Sequence, residues 1–494
     1  MIKIEKRVIK QQKNFWNHCI FHPTDAIEDP WGRRILDRMA RDKAISTVRI
    51  YAMFEDIVYM DENGGLTYDF RLNDLRLDYL VDRGYDILIA YAGIPDFLSE
   101  SGGVKTSVSK NKTRYKGKMW NTAPPKDYDL WEEICYEYTK HIVERYGIEV
   151  VSKWHIHCFN EPDIPSFFRG DLGREDYENQ IRCEQYCMLY SGFERAVRRV
   201  SEQIRIGGPA LAHIRPFLDG FLKYVKQNDL KLDYIALHNY GTSPEKMNKG
   251  DRIAVENIIE KHAEYLDIIR RNGFENTEII IDEWGASTAG FYNREECPAL
   301  MFREHEVYSA YFVKLIRKMI DFDPSLSKLM ICLSGQHEMV EDFSGFRNFF
   351  TLNFIAKPIY NAYILASKLG ADLLCARCDN ENISILPTRN ENGDLAVLLS
   401  YSSQYFEENI PSITETVEFE EDTTDKTFTI WCIDKNTTNP YRLYQKMGIN
   451  APTDDELKLL REEGRLKPLK VQGGNVPLVL HLTPNCTYFI TVTG

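Results

Sequence analysis

Residues 153–163 read KWHIHCFNEPD, an apolar, β-prone run that halts on an Asn-Glu-Pro step. A buried strand that stops on a carboxylate held between an amide and a proline is built to present that carboxylate. Seven further runs of the same kind flank it: NHCIFH from Asn17, TVRIYAMF from Thr47, YDILIAYAG from Tyr85, IRIGGPAL from Ile204, DYIALHNYG from Asp233, TEIIIDEWG from Thr277 and SKLMICLSG from Ser327. Short continuous apolar runs are the mark of strands covered on both faces. Longer amphipathic stretches follow them, such as 125–147 and 251–273, each closing on glycine as helices commonly do.

Eight strand–helix units in succession imply parallel strands with helical crossovers, and eight is the number that closes such a sheet into a (β/α)8 TIM barrel. An open doubly wound sheet would carry a glycine-rich phosphate turn, and neither GxGxxG nor a Walker sequence is present. The longest connections follow strands three and eight, so they crowd the C-terminal rim, where barrels build their sites. From about Ala371 the pattern changes to short strands with polar turns, among them ISILPTR, LAVLLSYSS and TFTIWCID, interrupted by one charged helix, DDELKLLREEG. The expected architecture is therefore α/β: a barrel over residues 16–370 and a C-terminal all-β sandwich over 371–494, with residues 1–15 supplying a further strand to the sandwich.

Composition narrows the function. The net charge of −13 speaks against a nucleic-acid surface, which needs a basic patch. No apolar run approaches the roughly 18 residues of a membrane span. The opening MIKIEKRVIKQQKN lacks the apolar centre of a signal peptide, so a cytoplasmic protein is expected. The 11 cysteines follow no framework spacing and read as free thiols; Cys375-Ala-Arg-Cys378 has no partner pair for zinc. The 28 Tyr, 25 Phe and 7 Trp suit sugar stacking, although large cores use aromatics as well.

Glu161 ends strand four and Glu283 lies in strand seven, so a closed barrel brings both to one rim. Two carboxylates across a cleft, one a proton donor and one an anion, are the equipment of glycoside hydrolysis. Aromatic neighbours such as Phe159 and Phe167 would disfavour ionisation of Glu161 and suit it to general acid, while Glu283 must be ionised to act as nucleophile. Tyr240, at the end of strand six, is placed to donate a hydroxyl to Glu283. Asp282 is expected to point away from Glu283 by strand alternation and to be structural.

At these residues the chain resembles glycoside hydrolase family 39, which includes β-xylosidases and α-L-iduronidases. The likeness runs from about Trp16 to Tyr488 and includes RIYAMFEDI, TAPPKDYDLWEEI, RYGIEVVSKWHIHCFNEPD, IRIGGPAL, ALHNYG, IDEWGAS and IDKNTTNPYRLYQKMG. The resemblance implies acid/base Glu161 and nucleophile Glu283, with Asn160 against the sugar 2-hydroxyl, His238 and Tyr240 around the glycone, and Arg49 at the nucleophile end. Tyr51, Trp120, Glu341 and Asp342 are further candidates for substrate binding. Two departures bear on the sugar. The xylosidases carry Arg-Phe-His on strand two where this chain has Arg49-Ile50-Tyr51. Around strand eight a Trp and a Glu pair give way to CLSGQHEMVED, which makes His337 and Glu338 candidates with Glu341 and Asp342.

The expected function is retaining, exo-acting hydrolysis of a neutral β-glycoside, a β-xyloside first, with no metal and no cofactor. The alternatives are an α-L-arabinoside, β-glucoside, β-galactoside or uronide specificity, the last needing Arg347 as counter-ion, or a non-catalytic carbohydrate-binding barrel. His155-x-His157 could ligate zinc from one strand face, but reads more simply as polar lining of the barrel.

Overall fold

The computed structural model describes residues 1–21, 29–100, 105–106, 120–288, 292–334, 339, 341–406, 408 and 410–494. The eight apolar runs are eight strands: β1 (His18–Phe21), β2 (Thr47–Met53), β3 (Asp86–Ala92), β4 (His155–Cys158), β5 (Arg205–Leu211), β6 (Tyr234–Thr242), β7 (Glu278–Ser287) and β8 (Leu326–Leu333). They pair in parallel in sequence order, and β8 returns to β1 with Met330 opposite His18, closing the barrel. This is the expected fold.

Alternation sorts each strand. Val48, Ile50, Ile87, Ile89, Tyr91, Ile156 and Ile331 join the main core beneath the helices. Leu88, Ala210, Tyr234, Ala236, Ile280 and Met330 form a small apolar plug of their own, and nearer the C-terminal ends Ile20, Tyr51, Met53, Ala90, Ala92 and Cys332 form another. The polar side chains Arg49, His157, His238 and Asp282 are fully buried. One break in the alternation matters. Leu237 pairs with Ile281 but His238 pairs with Glu283, so Asp282 is an extra residue in β7, a β-bulge.

The helices end as the sequence predicts. The one at Tyr128–Tyr146 is capped by Asp127, whose carboxylate accepts from the Asp129 and Leu130 amides at 3.0 Å. Gly147, at φ 81°, takes the chain out of it through a conformation that glycine adopts without strain.

The C-terminal domain is one continuous nine-stranded sheet rather than two separate layers. It folds over itself, so that Phe419 near one edge stacks on Phe428 near the other at 5.6 Å. The N-terminal strand Ile2–Gln11 lies within it, antiparallel to Asp372–Cys378 and parallel to Ile413–Phe419. Two helices interrupt the sheet instead of one: Asp454–Glu463, as expected, and Pro440–Met447, an eight-residue helix too short to show a period. The short helix reaches the barrel. Phe343, from the loop after β8, packs against Tyr441 at 5.5 Å and Tyr444 at 5.0 Å, and Arg442 pairs with the buried Glu306 at 2.7 Å. Among the described residues, no helix is long and apolar enough to cross a membrane.

Candidate active site

The turn after β4 is held by backbone rather than by packing. Phe159 and Glu161 both have positive φ, 67° and 44°, and the Glu161 amide donates to the Ala210 carbonyl at 3.0 Å. Positive φ is uncommon for residues other than glycine and persists only where the surroundings enforce it. Asp163 supplies part of that enforcement. Its carboxylate accepts from the amides of Ala212, His213 and Ile214 at 2.8–2.9 Å, tying the Glu161 turn to the loop after β5. Phe159 sits edge-on to Phe168 at 5.4 Å in the main core, so it is burial in the barrel mouth that desolvates Glu161.

Glu283 is held by three elements. Arg49 Nη1, from β2, donates to Oε1 at 2.7 Å, and the Tyr240 hydroxyl, from β6, donates to Oε2 at 2.7 Å. Arg347, from the loop after β8, donates to that hydroxyl at 3.0 Å. Arg49 also fixes Asn160, donating to Oδ1 at 2.6 Å and so leaving the amide NH2 as the donor end. His238 joins the two glutamates, with Nδ1 2.7 Å from Glu161 Oε1 and 3.7 Å from Glu283 Oε2. One carboxylate oxygen from each glutamate and one ring nitrogen of His238 all lie within 4.8 Å of one another.

The electrostatics separate the pair. Burial pushes the Glu161 carboxyl above its ordinary range, by more than the hydrogen bond and charge of His238 take back, and neighbouring Glu283 adds a smaller push the same way. Burial pushes Glu283 up as well, but His238, Arg49, Arg347 and the Tyr240 hydroxyl pull it below the ordinary range. Two buried carboxyls pushed in opposite directions are an acid and an anion at one pH. Burial opposes a charge on His238, but Glu283, Asp282 and Glu161 raise its imidazole to about 10. Glu161, His238 and Glu283 are close enough to share a metal ion, but an imidazole drawn toward its charged form is a poor metal ligand, and Arg49 and Arg347 already act on Glu283 as cations.

The model of glycosyl hydrolases family 39 matches residues 1–473. The chain belongs to glycosyl hydrolase family 39. A β-xylosidase of Caldicellulosiruptor saccharolyticus is 24% identical over 498 residues, covering 96% of this chain and 93% of that one. A β-xylosidase of Geobacillus stearothermophilus is 25% identical over 65% of this chain and 60% of its own. The α-L-iduronidase of Homo sapiens is 21% identical over 46% of this chain and 32% of its own. Among solved structures, a monomeric β-xylosidase from Caulobacter crescentus CB15 superposes with a TM-score of 0.81 at 18% identity, over 100% of this chain and 99% of that one, a likeness of fold. The family makes the protein a glycoside hydrolase and its substrate a glycoside.

In this family-39 barrel, Glu283, Asn160, Tyr240 and Arg49 form one hydrogen-bonded cluster, and the hydrogen-bonded pair Glu161–His238 meets it across 3.7 Å, from His238 Nδ1 to Glu283 Oε2. Tyr51 borders it, its hydroxyl 3.5 Å from Arg49 Nη1. Glu341 and Asp342 are engaged elsewhere in the rim: Glu341 pairs with Arg294 at 2.8 Å, and Asp342 accepts from the Asn353 amide and side chain at 2.8 and 2.6 Å. The Trp120 side chain, His337 and Glu338 lie outside the described residues. His155 and His157 both line the barrel, but the Nε2 lone pair of His157 is taken by Arg49 Nε–H at 3.3 Å, which leaves His155 without the paired ligand a zinc site on this strand needs. The expectation for Asp282 is corrected. It does not turn away from Glu283, because the bulge puts both inside, with Trp284 outside against Tyr311 and Phe312 at 6.5 and 6.2 Å. Sequence reasoning missed Asp163 and the link from Arg347 to Tyr240. The NEPD run, with a carboxylate two places after the glutamate, was the available signal for Asp163.

Proposed function

We propose that this protein hydrolyses a neutral β-glycoside, a β-xyloside first, from the end of a short oligosaccharide and with retention of configuration. The observation that carries the reading is the distance between the carboxylates. One oxygen of each within 4.8 Å of the other supports the narrow spacing of about 5–5.5 Å that retaining enzymes use over the roughly 6.5–9.5 Å of inverting ones. Glu283, kept ionised by Arg49 and Tyr240, attacks the anomeric carbon. Glu161, kept protonated by burial, gives its proton to the departing oxygen, then takes one from the water that cleaves the glycosyl-enzyme. The Asn160 NH2, fixed by Arg49, faces the 2-hydroxyl. Catalysis is assigned to the barrel, residues 16–370, with 371–494 and the first 15 residues as an accessory domain.

The β-xylosidase relatives support the xyloside. Arg347 favours a second reading, a uronide, because it is a cation beside the nucleophile; its Nη1 and Nε already donate to Tyr240 and Ser334, which argues for a structural task instead. A panel of chromogenic glycosides, with Glu283→Ala as control and a chelator arm, tests the proposal. β-Xyloside turnover ahead of α-L-arabinoside and β-glucoside, lost in the variant and insensitive to chelator, is expected. Turnover of uronides with none of neutral sugars would refute the glycone, and a product of inverted configuration would refute the mechanism.

A further inference from the structure

Asp282 has no part in the two-carboxylate mechanism, yet its placement is costly. It is a fully buried carboxylate on a bulge directly before Glu283. Burying an ion is favourable only where partners compensate it. Its charge partners are Arg49, with Nε at 3.1 Å from one oxygen, and His238, with Nε2 at 3.6 Å from the other; His157 Nε2, 3.6 Å from the first oxygen, is neutral and already accepts the Arg49 Nε–H. His238 therefore has carboxylates on both sides of its ring. Asp282 faces Nε2, while Glu161 and Glu283 face Nδ1 at 2.7 and 3.7 Å.

We propose that Asp282 is a positioning residue: it holds His238 as an imidazolium, whose Nδ1–H is thereby fixed on Oε1 of Glu161, so that Oε2 carries the proton delivered to the leaving group. The inference rests on Glu161 being the acid. The proton count is closed. In the first step the Oε2 proton passes to the glycosidic oxygen as its bond to the anomeric carbon breaks and the Glu283 bond forms. Glu161 is then an anion against the imidazolium. In the second step a proton of the attacking water restores Oε2 as the Glu283 bond breaks. His238 keeps both of its protons throughout and never exchanges one with substrate.

The charge balance explains why the site needs the extra carboxylate. With Glu161 protonated, Arg49, His238 and Arg347 stand against Asp282 and Glu283. Removing Asp282 leaves three cations against one anion, and of the three only His238 can discharge, because an arginine stays protonated. The charged and titratable groups facing His238, Asp282 and Glu283 are Arg49 from β2, His157 and Glu161 from β4 and its turn, Tyr234 and Tyr240 from β6, Glu283 from β7 and Arg347 from the loop after β8. Neutral His157, which burial and Arg49 press down to about 3, supplies no replacement charge.

The test uses Asp282→Asn, which keeps shape and removes charge. In the full-length protein labelled with 15N-histidine, with the His238 signals assigned by their loss in His238→Gln, wild-type His238 stays an imidazolium at pH 8 and the variant titrates below it. In the kcat/KM profile both limbs of Asp282→Asn move to higher pH, by roughly one to two units, because the lost cation lies against both carboxylates while Asp282 lies on the far side of the ring. Limbs that stay in place overturn the proposal, however much stability the variant has lost. So does a wild-type His238 that is neutral at pH 7, a measurement that needs neither a folded Asp282 variant nor a substrate. If no glycoside is turned over, the functional reading fails while the histidine titration still judges the role of Asp282.

Discussion

Arg49→Lys is the perturbation whose magnitude follows most directly from the structure. The guanidinium is fully buried and makes three contacts at once: hydrogen bonds to Glu283 at 2.7 Å and Asn160 at 2.6 Å, and an ion pair with Asp282 at 3.1 Å. Its planar fork spans strands β4 and β7 from β2, and a lysine has one nitrogen for the same task. Two of the three contacts are lost. Hydrogen bonds to charged groups contribute about 1.5–3 kcal/mol each, so roughly 3–6 kcal/mol is removed, divided between folding and catalysis. The part belonging to Glu283 reads out as a rise in its pKa, about 1.4 kcal/mol per unit. The expectation is an acid limb of kcat/KM displaced upward by about one unit, an unfolding free energy lowered by roughly 2–3 kcal/mol, and plateau activity down about 10- to 100-fold. Denaturant unfolding and a pH–rate profile on an activated glycoside measure these separately. An unfolding midpoint and an acid limb both equal to those of the wild type would show that Arg49 does not hold Glu283, whatever the contact distances. Arg49→Met should be worse than Lys, because it takes the shared cation away from two buried carboxylates, at a cost of about 3–5 kcal/mol.

Tyr240→Phe removes the donor to Glu283 Oε2 and uncouples Arg347; kcat/KM should fall about 10- to 100-fold with the acid limb raised, and an unmoved limb would mean the hydroxyl serves only packing. Glu161→Ala should spare glycosides with good leaving groups in the first step and accumulate glycosyl-enzyme, whereas Glu283→Ala should be inactive on all; identical behaviour of the two would dissolve the assignment of roles. The carboxyl of Asp282 is desolvated, but Arg49 and His238 hold it down at about 2 against an ordinary 3.8, so the stability it gives is present above pH 3.8 and lost as pH falls through 2. His238 is raised to about 10 from 6.5, so its contribution is whole below pH 6.5 and lost as pH rises through 10. The stability difference between wild type and Asp282→Asn should therefore be greatest between those limits and shrink on both sides; a difference constant from pH 3 to 10 contradicts the pairing.

The fold was legible because its physics is local. Strands buried on both faces read as continuous apolar runs, and the helices between them end on residues such as Gly147 for a backbone reason visible in the residue itself. The helix Pro440–Met447 was invisible because two turns hold no period; its position is fixed by Arg442 on Glu306 and by Tyr441 and Tyr444 on Phe343, contacts with residues far away in the chain. The two glutamates were legible for a similar reason, each ending or interrupting an apolar run that has no use for a charge. What surrounds them was not. Arg347 meets Tyr240 from 107 residues further along, and nothing local to either marks the pair.

Asp282 is the sharpest case, because the rule of alternation gave the wrong face. Ile280 lies inside and Ile281 outside, so strict alternation puts Asp282 inside and Glu283 outside, among the helices. The bulge repairs this: pairing jumps from Leu237–Ile281 to His238–Glu283, which turns Glu283 inward and Trp284 out to its aromatic partners. Without the extra residue, a strand of this sequence would present either the carboxylate that meets Arg49 and His238 or the one that faces the cleft, never both. The bulge is thus what converts an Asp-Glu dipeptide into a buried counter-charge with a cleft-facing anion directly above it. A deletion that restored regular pairing in β7 would remove one of those two carboxylates from the barrel while leaving every other site residue in place.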